Sequence, residues 1–328
     1  MTDAIRWGIL GAGGIAGTVG AEIAATPDHQ VVAVGARDLD RAAALADQLG
    51  GARSYGSYAE LVADPDLDVV YIATTHGQHH EQALLCLGAG KPILVEKAFT
   101  LNARQAREVI AEARQRQLFC MEAMWMRLNP LIRTAQDAAA SGRIGDLVSV
   151  RSELSTRFEF DPTHRLFDLH VGGGALLDIG VYAATFAWLF LGRPDTVQVT
   201  GSLSPTGSDA TVAMQWGYAD GRFAQIASTT LSASPLSGLV VGTKGWISVD
   251  GPMARPASIT IHDADGDEVL TDPLTGAGYQ PEVLEVAHCL RAGQLESPLV
   301  PLDETLAILE VFDDVRARLG VRYPADQE

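Results

Sequence analysis

The sequence predicts two domains: an N-terminal α/β domain on a doubly wound parallel sheet, and a C-terminal α+β domain with a large, mostly antiparallel open sheet. Up to about residue 122, short apolar runs alternate with stretches of helical length, the pattern of parallel strands joined by crossover helices. Beyond that point the apolar runs crowd together across tight turns such as Ala219-Asp220-Gly221 and Thr243-Lys244-Gly245, as in an antiparallel sheet. A chain of 328 residues is long enough for two domains of ~100–200 residues each. The expected division is 1–122 and 123–328.

The first strand, Trp7 to Leu10, is an apolar run of the kind buried on both faces. It leads directly into Gly11-Ala12-Gly13-Gly14-Ile15-Ala16 and a helix reaching Ala24. Gly11, Gly13 and Ala16 fit G-x-G-x-x-G/A: a tight turn, a backbone that lets a pyrophosphate approach, and a small residue for helix-on-strand packing. Gly14 and Ile15 open the helix, whose unpaired amides suit a phosphate. These five residues are the expected dinucleotide contacts.

The second strand, Gln30 to Gly35, ends where an NAD site usually places an acid for the ribose hydroxyls. Here Ala36 and Arg37 stand instead, with Arg41 one helical turn on. A small residue followed by arginine suits a 2′-phosphate, which arginine grips in a bidentate, charge-assisted way. The reading favours NADP (NADPH) over NAD. Asp38 reads as the cap of a helix from Leu39 to Leu49; were it a ribose ligand, Arg37 and Arg41 would be ordinary surface residues.

The alternation continues with a short helix at Ser57–Val62, a strand at Leu67–Ala73 and a helix at His79–Ala89. A strand at Pro92–Lys97, a helix at Asn102–Gln117 and a strand at Leu118–Glu122 complete it. Ligands bind beyond the carboxyl ends of such strands. That marks Thr74 to His76, Glu96-Lys97 and Glu122 to Trp125.

The second domain reads as a helix over Asn129–Ala140, a strand over Leu147–Thr156, and turn-rich sequence to Gly174. An apolar helix over Ala175–Leu191 follows, then strands at 196–203, 210–217, 222–231, 238–241, 245–249 and 258–262. Helices at Pro281–Ala292 and Asp303–Leu319 close the chain.

Three side chains bring chemistry. Lys97 ends an apolar strand, where its charge would stabilise a developing alkoxide or lower a neighbour's pKa. Asp178 and Tyr182 lie four apart on the apolar helix and share a face. A carboxylate there needs a partner, and a tyrosine hydroxyl becomes an acid or base when a cation lowers its pKa. Gly172-Gly173-Gly174 suggests either close backbone approach to a ligand or a flexible helix entry.

The net charge of −17 argues against nucleic acid or an anionic membrane surface as partner. Three widely spaced cysteines, Cys86, Cys120 and Cys289, read as reduced core thiols, with no metal site. Met1-Thr2-Asp3 precedes the first strand without a signal-peptide pattern, and no apolar run reads as long enough to cross a bilayer. The expected location is cytoplasmic.

Together these stretches resemble the Gfo/Idh/MocA family of oxidoreductases, over nearly the whole chain. The likeness rests on the glycine fingerprint, Glu96-Lys97, the Gly172–Tyr182 helix entry and Gly242-Thr243-Lys244-Gly245. Met121-Glu122-Ala123-Met124-Trp125-Met126-Arg127 and Asp178–Tyr182 are most similar to the dimeric dihydrodiol dehydrogenases and NADP-dependent aldose dehydrogenases. The resemblance implies hydride transfer between nicotinamide and a ring hydroxyl of an aldopyranose, an inositol or a trans-dihydrodiol. It implies Tyr182 as acid/base, Lys97 as orienting charge and Asp178 as substrate ligand or anchor. Trp125, Arg127, His76 and His79 would line the cleft, with Thr74 and Glu96 at the cofactor. A homodimer through the C-terminal sheet is expected, since a half-covered sheet needs burial. Other readings are a sugar–sugar oxidoreductase with a retained cofactor, or a non-catalytic nucleotide sensor. The family commonly reads Glu-Lys-Pro, whereas this chain reads Glu96-Lys97-Ala98. A cis bond is disfavoured ahead of a residue other than proline, so a trans Lys97–Ala98 peptide is expected.

Overall fold

The computed structural model describes residues 4–326; Met1-Thr2-Asp3, on which part of the localisation reading rests, lie outside them. The first sheet is formed by β1 (Ile5–Leu10), β2 (His29–Gly35), β3 (Arg53–Tyr55), β4 (Val69–Ile72), β5 (Ile93–Glu96) and β6 (Cys120–Ala123). Its order is β3-β2-β1-β4-β5-β6, and every pairing is parallel. The crossovers are α1 (Gly14–Ala25), α2 (Leu39–Gln48), α3 (Tyr58–Val62), α4 (His76–Gly88) and α5 (Ala103–Arg116). β4, β5 and β6 are buried at every position, as strands covered on both faces must be. The strand order reverses between β1 and β4, and that switch point opens the crevice where such sheets take ligands. β3 was not legible: Arg53-Ser54-Tyr55 is three residues long and carries no aliphatic side chain.

The second sheet contains β7 (Leu147–Ser155), β8 (Thr196–Leu203), β9 (Asp209–Gly217), β10 (Phe223–Thr229), β11 (Gly238–Gly242), β12 (Trp246–Val249), β13 (Ser258–Asp263) and β14 (Gly266–Thr271). Its order is β14-β13-β12-β11-β7-β10-β9-β8, antiparallel except for the β7–β10 pair. β14 was not expected; it is an exposed edge strand without a buried face to announce it. α6 (Pro130–Ala140) precedes this sheet, and α7 (Val181–Leu191) packs on β7 and β10. Trp216, Met214, Ile226 and Val240 point into that core. The opposite face carries Arg151, Glu153, Gln198, Gln215 and Gln225, around a shallow concavity of about 680 Å³.

The chain ends with α8 (Gln280–Arg291) and α9 (Leu302–Leu319). The division at 122/123 needs correction. One compact unit runs to Ala123 and also includes Thr275–Leu306; the other is Met124–Leu274 and the chain from Ala307. The physical reason is that α8 packs against α1 of the first unit.

A second correction concerns the apolar helical segment Leu169–Leu191. Contrary to the sequence reading, it is long and apolar enough, by length and composition alone, to cross a bilayer. It is mostly buried within its own unit, the pattern of a core helix. Cys86, Cys120 and Cys289 are free, buried thiols, and burial pushes Cys86 and Cys289 up to about 12. Among the described residues no group of three or more metal-ligating side chains gathers.

Candidate active site

In the first unit, β1 delivers the chain into Gly11, whose φ is +114° and whose Cβ, if it had one, would sit 2.7 Å from the Ala73 oxygen. Only glycine meets both conditions. Gly13 and Gly14 face open space. Gly13 is the N-cap of α1 without a side-chain bond, and the first turn carries no acid. The leading amides are therefore presented to the outside. Ile15 is half-buried, and Ala16 is fully buried where the helix crosses the strand. Ala12, Gly13, Gly14, Gly17 and Arg41 border a cleft of about 530 Å³.

Arg41 is exposed and donates to the Ala12 carbonyl at 2.8 Å, so its guanidinium stands over the glycine turn. Arg37 is also exposed. Asp38 caps α2, accepting from the amides of Asp40 at 3.0 Å and Arg41 at 3.3 Å. Thr74 follows β4, and its buried hydroxyl has no protein partner. An anion-ready helix end, a glycine floor without side chains and an orphaned hydroxyl fit a dinucleotide.

Lys97 lies just past β5, half-buried. The Lys97–Ala98 peptide is cis, not trans as expected, and two histidines hold its own carbonyl and the next one. His76 Nε2 lies 3.2 Å from the Lys97 oxygen, and His79 Nδ1 lies 2.9 Å from the Ala98 oxygen. His79 Nε2 faces the Thr74 oxygen at 3.2 Å. His79 is fully buried, which pushes its pKa down against the pull of those carbonyls. It braces the Lys97 turn instead of lining a cleft.

Glu96 is likewise turned inward. Its Oε1 accepts from the Tyr71 hydroxyl at 2.6 Å, and its Oε2 lies 3.2 Å from the Lys97 amide. Burial pushes its carboxyl up to about 7, although Lys97 pulls the other way. Glu122, at the end of β6, accepts from the Phe99 amide at 3.1 Å and the Thr305 hydroxyl at 2.8 Å. It too fixes the segment after Lys97.

In the second unit, a 3-10 turn at Trp125–Leu128 carries Trp125 and Arg127. Arg127 is only 5% exposed, as buried as Asp178 and Trp125. Trp125 Nε1 donates to the Tyr182 hydroxyl oxygen at 2.9 Å, with the two rings edge to face. Asp178 is 6% exposed and takes a bidentate grip from Arg165, at 2.9 and 3.3 Å. The helix entry is a π turn, Leu176–Gly180, running on into α7. Two of the three glycines before it serve packing. Gly173 lies against the backbone of 165–168, and Gly174 lies against Asp209. Sequence reasoning missed Arg165, Asp209 and the bracing role of Glu122. For Asp209, the available signal was an acid opening an otherwise apolar strand.

Residues 5–124 match the family described as oxidoreductase family, NAD-binding Rossmann fold, and residues 132–248 match the GFO/IDH/MocA C-terminal domain. The chain belongs to the Gfo/Idh/MocA oxidoreductase family. It is an oxidoreductase with an NAD(P)-binding Rossmann domain. Curated relatives include trans-1,2-dihydrobenzene-1,2-diol dehydrogenases from Mus musculus, 37% identical, and Homo sapiens, 38% identical; each alignment covers 99% of both chains. A 3-ketoreductase from Actinomadura kijaniata, solved with NADP and TDP-benzene, superposes with a TM-score of 0.85 at 26% identity, covering 96% of this chain and 98% of its own. A levoglucosan dehydrogenase shares the Gfo/Idh/MocA fold at a TM-score of 0.88 and 19% identity, covering 97% and 98%.

Proposed function

We propose that this protein is an NADP-dependent dehydrogenase acting on a ring CH–OH of a cyclic polyol, sugar or trans-dihydrodiol. The observation that carries the reading is Tyr182: a buried phenol held by the Trp125 indole, on the helix that also presents Asp178. The relatives' names and the ketoreductase bound to NADP support the substrate class and the cofactor.

Nicotinamide, when bound, supplies the hydride acceptor. Gly11, Gly13, Gly14, Ile15 and Ala16 would hold the pyrophosphate, and Thr74 would offer its hydroxyl. Arg37 and Arg41 would take the 2′-phosphate, a role left open to them because Asp38 is engaged in capping α2. Tyr182 would take the proton of the substrate hydroxyl at its phenol oxygen. The Trp125 N–H donates to that oxygen and fixes its position. Lys97 would add positive charge, and Asp178, fixed by Arg165, would bind a second hydroxyl. Two copies would pair through the open face of the second sheet, where Arg151 and Glu153 offer both signs of charge to a two-fold contact.

Initial rates with NADP⁺ and NAD⁺ against D-xylose, D-glucose, myo-inositol and trans-1,2-dihydrobenzene-1,2-diol test the reading. Turnover should require NADP⁺ and fall about 10²–10⁴-fold in Tyr182→Phe, the usual loss of a positioned acid/base. NADPH binding should survive. Wild-type turnover in the variant would remove Tyr182 from the chemistry, and a preference for NAD⁺ would overturn the cofactor assignment.

A further inference from the structure

The helix bearing Asp178 and Tyr182 is tied down at its start by a residue from a strand. Asp209 opens β9 and is 1% exposed. Its Oδ2 accepts from the Leu176 amide at 2.6 Å, at the first residue of the π turn. Gly174, at a φ of +138°, lies so close that any Cβ would collide with Asp209 Oδ1. A buried carboxylate is costly unless hydrogen-bonded, and the amino end of a helix offers the amides and dipole that offset the cost. The charge of Arg316 on α9 also favours the carboxylate, Arg316 being itself paired with Asp313 and Asp326 and stacked over the buried Tyr323.

We propose that Asp209 is a positioning residue: by holding the Leu176 amide from β9, it sets the placement of Asp178 and Tyr182. The consequence for turnover rests on the dehydrogenase reading above; the anchor itself does not. Burial pushes the Asp209 carboxyl up to about 6, against the pull of the Leu176 amide and Arg316, so the anchor weakens as the carboxyl takes up a proton.

Hydrogen–deuterium exchange on the full chain tests the anchor directly. In Asp209→Ala, amides from Leu176 to Tyr182 should exchange about tenfold faster, as expected for a lost cap, while those of α1 keep wild-type rates. Asp209→Asn keeps an acceptor oxygen and should restore most of the protection. Unchanged exchange in Asp209→Ala overturns the proposal. Should that variant fail to fold, the wild type decides. Protection at Leu176, corrected for intrinsic exchange, should fall as pH drops through about 6 and stay flat in Asp209→Asn. A flat wild-type profile also overturns it. In parallel, kcat should drop about tenfold in Asp209→Ala with KM for the nucleotide unchanged, and recover in Asp209→Asn. A wild type silent with every substrate would refute the dehydrogenase reading and leave the exchange result to decide the anchor.

Discussion

Glu96 and Lys97 are neighbours in the chain with opposite surroundings. Lys97 is partly open, whereas Glu96 is sealed against Tyr71 and adds to the upward shift of a second buried carboxyl, Glu282. Burial raises Glu96 from 4.5 to about 7 in the fold, and raises Glu282 in the same direction. A carboxyl whose folded pKa lies above its unfolded value stabilises the fold fully below the unfolded value, and that stabilisation is lost as pH rises through the folded one. Between about 4.5 and about 7, melting temperature should therefore fall more steeply in the wild type than in Glu96→Gln, whose amide can still accept from Tyr71. Parallel melting curves across that range would show that Glu96 is already ionised there.

At the scale of elements, the segment from the end of β7 to α7 sets the surroundings of Asp178. Phe158 stacks on His164, and Phe160 meets Phe167 edge on, a ring cluster that braces the 3-10 turn holding Arg165. From there Arg165 reaches the π turn and grips Asp178. Arg165→Ala removes the charge that balances a buried carboxylate, and such losses are strongly destabilising locally. Steady-state kinetics should show kcat/KM for the polyol falling about 10–100-fold, with NADPH affinity unchanged. Arg165→Lys should recover only part of it, because a single ammonium cannot make the bidentate contact. Equal kcat/KM in wild type and Arg165→Ala would mean that Asp178 needs no such support.

At the scale of the whole molecule, the second sheet is a two-sided problem solved on one side. α7 covers one face, while the other presents Arg151, Glu153, Gln198, Gln215 and Gln225 around its concavity. If a second copy covers it, sedimentation equilibrium should give twice the 34.8 kDa chain mass. Arg151→Glu, which places two acids side by side at the centre of the face, should shift the mass toward one chain. A single-chain mass for the wild type would rule out the pairing. Because the chain carries a charge of −17, the test belongs at moderate ionic strength, where general repulsion between copies is screened.

Periodicity and glycine chemistry are local, and the sequence by itself determined what depends on them. The doubly wound sheet, the glycine turn after β1 and the capping by Asp38 were all legible, because strand burial, φ > 0 and helix starts leave marks within a few residues. What each polar group faces was decided by the tertiary structure. Glu96, His79 and Glu122 stand beside the expected site in sequence yet turn into packing, because their partners come from other elements: Tyr71, the carbonyls of Thr74 and Ala98, the Phe99 amide and Thr305. Arg165 and Asp209 became visible only once the fold placed them against residues 13 and 33 positions away along the chain. The return of α8 to the first unit has the same origin. Its apolar stripe states that it must be buried, and only the assembled sheet states against what.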